Sequence, residues 1–187
     1  MTIRIRAARD EDAAQIAAIY MPYVTGSAIS FETKPPGEAE MRERMHAYDG
    51  LYPWLVATTE DDDAVQGYAY ASRFRDRAAY RYTVETSLYL GGGVQGQGVG
   101  RLLYAALIET LIAQDFTQAI AVLSLPNEHS IALHESTGFR RAGIVREIGY
   151  KAGQWRDIGM WQRALSEPTN PPRDPKPFAD VVAVWRS

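Results

Sequence analysis

The stretch YRYTVETSLYLGGGVQGQGVGR, residues 80–101, carries the pattern from which the architecture follows. Its first half alternates. Tyr80, Tyr82, Val84, Thr86, Leu88 and Leu90 share one face, and Arg81, Thr83, Glu85, Ser87 and Tyr89 share the other, as in the longest strand of a sheet. Gly91 to Gly98 then reads as a turn. From Val99 to about Gln114 the apolar residues recur at helical spacing, with Val99, Leu102, Leu103, Ala106, Leu107 and Leu111 on one stripe. A strand that runs through glycines into a helix offers successive backbone N–H groups at the positive end of a helix dipole. That is a cradle for an anion such as a pyrophosphate. No Gly-Lys-Ser/Thr ending follows, so the turn is not a P-loop. The dinucleotide fingerprint also fits badly, because this strand is not the first of a βαβ unit.

Upstream, residues 2–7 alternate as a half-buried strand, and Asp10 reads as a helix N-cap with Glu11 and Asp12 in the first turn. Thr25 to Pro36 is a loop, followed by a helix over about Glu38 to Tyr48. Trp54 to Thr59 and Val65 to Ser72 form a hairpin around the acidic turn Glu60-Asp61-Asp62-Asp63. Downstream, Ala119 to Leu125 is a buried strand stopped by Pro126. Asn127 caps a short helix that ends at Thr137-Gly138, and Phe139 to Tyr150 with Trp155 to Leu165 make a last hairpin. The order β-α-α-β-β-β-α-β-α-β-β is that of a mixed α/β (α+β) domain over residues 1–165. Residues 166–187 hold five of the ten prolines and form a proline-rich tail. Its end, Val181-Val182-Ala183-Val184-Trp185, is apolar enough to dock on the domain or on a partner chain.

Composition excludes several functions. Twenty basic against 23 acidic residues give a net charge of −3, which disfavours nucleic acid as a partner. Cysteine is absent, which removes disulfides, thiolate metal sites and a covalent cysteine intermediate. His46, His129 and His134 share no ligand spacing, so no metal is expected. No Gly-x-Ser-x-Gly elbow is present. Residues 1–6 lack a signal-peptide core and no uncharged stretch could span a bilayer, so no membrane is expected and the cytosol is the expected compartment.

The residues Gln95-Gly96-Gln97-Gly98-Val99-Gly100 after a central strand resemble the acyl-CoA signature of the GNAT N-acetyltransferases. Asn127, Ala132-Leu133-His134 and Gly138-Phe139 resemble that family's downstream element. Tyr52-Pro53-Trp54-Leu55-Val56-Ala57, Arg77-Ala78-Ala79-Tyr80, Leu125-Pro126-Asn127 and Gly153-Gln154-Trp155-Arg156-Asp157 narrow the resemblance to the phosphinothricin and methionine sulfoximine N-acetyltransferase branch. The resemblance implies a mostly antiparallel sheet with splayed central strands, acetyl-CoA in the gap between them, and a homodimer. It implies cofactor contacts from the backbone of Leu88, Tyr89 and Leu90, from Gln95, Gly96, Gln97, Gly98, Val99, Gly100 and Arg101, and from Asn127.

Glu85 taken alone is an outer-face strand residue. The resemblance makes it the general base that an ammonium acceptor requires before it can attack a thioester. Arg73, Arg75 and Arg77 alternate, so an extended loop would aim them at one place, and guanidinium forks suit carboxylate and phosphinate oxygens. By resemblance Arg75 and Arg77, but not Arg73, contact the substrate, with Phe31 and Tyr80 lining its pocket. His134 stands where relatives carry a tyrosine that protonates the departing thiolate, and Tyr104, slightly off the helix stripe, is the alternative acid. The expected reaction is direct transfer of acetyl to the α-amino group of a small anionic amino acid. The other readings are a different amine acceptor (a polyamine, which the arginines oppose, or a protein N-terminus) and a CoA-binding module without turnover.

Overall fold

A computed structural model describes residues 2–181. The elements are β1 (Ile3–Ala7), α1 (Ala13–Thr25), α2 (Glu38–His46), β2 (Trp54–Thr59), β3 (Val65–Arg73), β4 (Thr83–Leu90), α3 (Val99–Ala113), β5 (Gln118–Ser124), α4 (Glu128–Ser136), β6 (Arg140–Lys151) and β7 (Gln154–Ala164). Seven strands form one sheet in the order β1-β2-β3-β4-β5-β7-β6, and every neighbouring pair is antiparallel except β4 with β5.

Period two along the central strands sorts their side chains onto two cores. On one face Leu55, Ala57, Ala69, Ala71 and Val84 pack against α3 through Leu103, Leu107 and Leu111. On the other, Trp54, Val56 and Tyr68 pack against α1 and α2 through Ile16, Tyr20 and Met41. Glu85, Ser87 and Tyr89 alternate with Val84, Thr86 and Leu88, so they fall on the α1–α2 face.

Four local readings change. β4 starts at Thr83, because Ala78–Tyr80 closes a 3-10 turn with Tyr80 N–H donating to Arg77 O. β6 and β7, at 12 and 11 residues, are longer than its eight. The buried arc of α3 is centred nearer Leu107, which takes in Tyr104 at 0% exposure and leaves Leu102 out at 51%. Asp10 is not the N-cap. Asp10–Asp12 is a 3-10 turn, and the Asp12 carboxylate accepts from Arg9 N–H at 2.7 Å while pairing with the buried Arg6 at 2.7 Å.

The proline-rich stretch packs back on the domain through its described part. Lys176 N–H donates to Gln114 O, Gln114 Nε2 returns a bond to Lys176 O, Phe178 adjoins the core and Val181 is buried. Val182 to Trp185 lie outside the described residues.

Candidate active site

The parallel pairing of β4 with β5 covers only Thr83↔Gln118, Val84↔Ala119 and Glu85↔Ile120. Beyond it β4 runs on to Leu90 and β5 to Ser124 without pairing, so a gap opens in the middle of the sheet. Gly91 N–H donates to Gln66 O on the β3 side. Backbone groups alternate sides along a strand, so Tyr89 belongs to the β3 ladder while Leu88 and Leu90 turn toward the gap. The Tyr23 hydroxyl already occupies Leu90, donating to its carbonyl at 2.7 Å and accepting from its N–H at 3.3 Å. Leu88 therefore presents its peptide groups to the gap. The expectation that Leu88, Tyr89 and Leu90 act together as one backbone row narrows to Leu88.

The gap leads to the glycine-rich turn. Gly96 and Gly98 have φ of +77° and +85°, and nothing lies within 4 Å of where a side chain would start at Gly92, Gly93, Gly96 or Gly98. The loop thus keeps an open concave backbone at the start of α3. Arg101 and Leu102 N–H both turn back onto Gly98 O, leaving Val99 and Gly100 N–H without an intrahelical partner. Donors, dipole and open space fit a pyrophosphate. Gly100 itself is buried, and a side chain there would begin 3.3 Å from Leu133 of α4 and 3.5 Å from Leu90 of β4, so there it is close packing that favours glycine. Gln95 and Gln97 are turned onto the protein, toward the Tyr23 hydroxyl at 3.2 Å and Gly93 O at 2.8 Å, and Arg101 is exposed. Asn127 caps α4, its Oδ1 accepting from Ser130 N–H at 3.3 Å.

On the α3 face a chain of polar groups crosses the foot of the gap. Thr86 Oγ1 lies 3.1 Å from the Tyr104 hydroxyl and 3.3 Å from Ile120 O, the last residue of β5 paired with β4. The Tyr104 hydroxyl lies 2.7 Å from His134 Nε2, and His134 Nδ1 lies 2.7 Å from Ser130 O. A carbonyl only accepts, so Nδ1 carries the imidazole proton. Burial pushes the His134 pKa down and keeps the ring neutral, which makes Nε2 an acceptor and Tyr104 its donor. Both ring nitrogens are thus committed, and the phenol is the group of the pair that reaches β4, through Thr86. Tyr104 is fully buried, which pushes its pKa well above the usual range for tyrosine.

On the α1–α2 face stands Glu85, whose carboxyl is pushed up by burial against the opposing pull of Arg75. Beside it Tyr68, Tyr70 and Trp54 stack, and Tyr20, Tyr23 and Tyr68 pack around Tyr89. Arg73, Arg75 and Arg81 take separate partners. Arg73 lies over the Tyr48 ring at 4.3 Å, and Arg81 pairs with Asp174 at 2.8 Å. Arg75 lies over Phe74 at 4.6 Å, and the exposed Tyr80 meets the same ring edge-on at 5.8 Å. Arg77 is exposed. Phe74, which drew no attention in the sequence, organises both neighbours. Phe31 is also exposed, with its ring against Gly149. Among the described residues no three His, Cys, Asp or Glu side chains gather as a metal site, and no helix is long and apolar enough to cross a membrane.

The acetyltransferase (GNAT) domain family matches residues 5–161. The chain belongs to that family. As a GNAT acetyltransferase it is an acyltransferase enzyme, and the seven-strand, mostly antiparallel sheet is the fold of its structural relatives. It is 37% identical over 179 residues to the phosphinothricin N-acetyltransferase of Streptomyces viridochromogenes, covering 96% of each chain. It is 32% identical to the L-methionine sulfoximine/L-methionine sulfone acetyltransferase of Salmonella typhimurium, covering 91% of this chain and 98% of that one. A crystal structure of a GNAT phosphinothricin acetyltransferase from Sinorhizobium meliloti, solved with AcCoA, superposes with a TM-score of 0.86 at 41% identity, covering 94% of each chain.

Proposed function

We propose that this GNAT enzyme moves the acetyl group of acetyl-CoA onto the α-amino group of a small anionic amino acid, of the phosphinothricin or methionine sulfoximine kind. The observation that carries the reading is the gap beyond Glu85↔Ile120, with a desolvated carboxylate on one face of the sheet and a buried phenol at its foot on the other. The names of the relatives supply the acceptor class.

Bound along the gap, with its pyrophosphate on Val99 and Gly100 N–H, acetyl-CoA supplies an activated thioester carbonyl. Gly96, Gly98 and Arg101 border that cradle, and Asn127 Nδ2 is left for the opposite lip because Oδ1 is spent on the cap. Glu85 takes one proton from the acceptor ammonium, and the freed amine attacks the thioester carbonyl. As the C–S bond breaks, the nitrogen's second proton neutralises the departing CoA thiolate. The raised pKa of Glu85 brings it nearer to the task than an ordinary carboxylate. Arg75 and Arg77 hold the acceptor's acidic oxygens, and Phe31 and Tyr80 wall its side chain. Leu88 N–H faces the oxygen on which charge develops. The Tyr104 hydroxyl has one proton, which rests on His134 Nε2, and rotation about the phenol C–O bond swings it onto the leaving sulfur as charge builds there. Because burial holds the phenol above a thiol's usual pKa of about 8.5, it eases charge on sulfur without giving up its proton outright. His134, fixed by Ser130, orients that hydroxyl.

We also propose that the enzyme works in the cytosol as a homodimer. Ile148, Tyr150 and Trp155 cluster as exposed apolar side chains on the β6–β7 hairpin and give a second copy something to cover.

The test is thiol release from acetyl-CoA over a panel holding phosphinothricin, methionine sulfoximine, methionine sulfone, glutamate, spermidine and a short peptide. Turnover confined to the anionic amino acids is expected. Turnover with spermidine or the peptide alone refutes the acceptor assignment.

A further inference from the structure

Lys151 ends β6, 119 to 127 residues away from everything its ammonium touches. Its Nζ donates to Val24 O at 2.7 Å, Ser30 O at 2.5 Å and Glu32 O at 2.7 Å. An ammonium has three N–H groups, and all three are spent on backbone carbonyls. Val24 lies in the last turn of α1, where carbonyls lack helical partners and the dipole favours a cation. Ser30 and Glu32 flank Phe31. One cation on the β6–β7 hairpin therefore ties the backbone on both sides of Phe31 to the end of α1.

Two residues earlier on the same strand, Gly149 completes the arrangement. A side chain there would begin 2.2 Å from Phe31 Cε2 and 2.6 Å from Cδ2, so the phenyl ring fills the space the glycine leaves. The loop is fixed a second time from α2. The Glu32 carboxylate accepts from Arg44 at 2.7 and 2.9 Å and from the Tyr20 hydroxyl at 3.0 Å, and the Tyr20 hydroxyl is bonded to Ser30 Oγ at 2.7 Å. Charge-assisted bonds of this number and length hold a loop that has no secondary structure of its own.

We infer that Lys151 and Gly149 are positioning residues that fix Phe31 as a wall of the acceptor pocket and so set which acceptor side chains fit. The inference rests on the reading that Phe31 lines that pocket. Arginine cannot replace Lys151, because three carbonyls converge on one point and a planar guanidinium aims its donors apart.

The experiment measures kcat and KM for the best acceptor of the panel, and separately for acetyl-CoA. It uses wild type, Phe31→Ala, Lys151→Met, Lys151→Arg, Gly149→Ala and the double variant Gly149→Ala/Phe31→Ala. Lys151→Met and Lys151→Arg should each raise acceptor KM about ten-fold, the equivalent of about 1.4 kcal/mol, with the KM for acetyl-CoA unchanged. Gly149→Ala should do the same, and the double variant should be no worse than Phe31→Ala, since the added methyl then has no ring to displace. An unchanged acceptor KM in Lys151→Met, a parallel rise in the acetyl-CoA KM, or additive losses in the double variant would each overturn the inference. A silent Phe31→Ala removes the pocket reading itself, whereas an affected Phe31→Ala with a silent Lys151→Met removes only the positioning role. Should Lys151→Met fail to fold, the Gly149–Phe31 cycle decides.

Discussion

Replacing Tyr104 by phenylalanine removes one oxygen from a fully buried site and tests the assignment of the donor. The phenol's proton sits between Tyr104 and His134 Nε2 at 2.7 Å, and its oxygen lies 3.1 Å from Thr86 Oγ1. Two costs follow. A buried Nε2 acceptor loses its donor, which costs about 1–3 kcal/mol of stability. At about 2–4 °C per kcal/mol for a domain of this size, the melting temperature should fall by roughly 2–12 °C. The second cost is kinetic. A hydrogen bond to a charged group contributes about 1.5–3 kcal/mol, so losing the donor to a thiolate-like sulfur should lower kcat by roughly 10- to 150-fold at about 1.36 kcal/mol per decade. The assay is thiol release at a temperature well below both melting points, with acetyl-CoA affinity measured separately to show that the cleft survives. His134→Gln is the control. Its amide oxygen can still accept from the phenol, so it should lose less activity than Tyr104→Phe. If Tyr104→Phe turns over like wild type, or if His134→Gln is the more damaged of the two, the histidine is the donor and the assignment of its proton to Nδ1 is wrong.

Glu85→Gln should lose most of kcat/KM and, at neutral pH, melt at a higher temperature than wild type. Burial raises the Glu85 pKa, so the folded state holds the proton more tightly than the unfolded state. The stability Glu85 contributes is therefore present at low pH and is lost as pH rises through the folded pKa. The gain from Gln should shrink toward pH 4 in a melting series, and a variant less stable than wild type at every pH refutes the sign. Gly98→Ala puts a side chain at φ +85° with open space around it, so its cost is backbone strain alone, about 1–2 kcal/mol. The acetyl-CoA KM should rise while the acceptor KM holds, and a rise in both contradicts the division of the site.

The strand, turn and helix of residues 80–101 were legible because each rests on local chemistry: period two, glycine, and an amphipathic stripe. The gap was not legible from the residues themselves. Glu85↔Ile120 joins strands 35 residues apart, and nothing in either strand's composition says where pairing stops. The separation of Arg73 from Arg75 was not legible for a related reason. Alternation predicts a common direction only while the backbone stays extended, and here Arg73 and Arg75 settle on the faces of Tyr48 and Phe74 while Arg81 reaches Asp174. Tyr104 reads as peripheral in the sequence because Leu102 extends the apolar stripe of α3 to the other side. The buried arc runs the other way round the helix, and a hydroxyl inside it needs partners that only α4 and β4 supply. Lys151 gave no signal at all. A lysine at a strand end is ordinarily solvated, and its three acceptors are backbone carbonyls without sequence identity.

The alternation of one strand separates the base of the proposed reaction from the donor that serves its leaving group. Glu85 and Thr86 are neighbours in the chain, yet period two sends the carboxylate to the face shared with Arg75 and the hydroxyl to the face shared with Tyr104 and His134. A base and a hydrogen-bond donor on the same face would pair with each other and neutralise both functions. Held on opposite faces, they can meet only through whatever occupies the gap, which begins at this very pair of residues. The separation also permits different environments. Glu85 feels a guanidinium on a half-exposed face, while Tyr104 is fully buried and bonds to Thr86 and His134. Shifting the β4 register by one residue would exchange the two side chains and take both the base and the Tyr104 contact away from their faces. The short parallel pairing with β5 and the long antiparallel pairing with β3, from Arg73↔Val84 to Gly67↔Leu90, hold that register where the chemistry requires it.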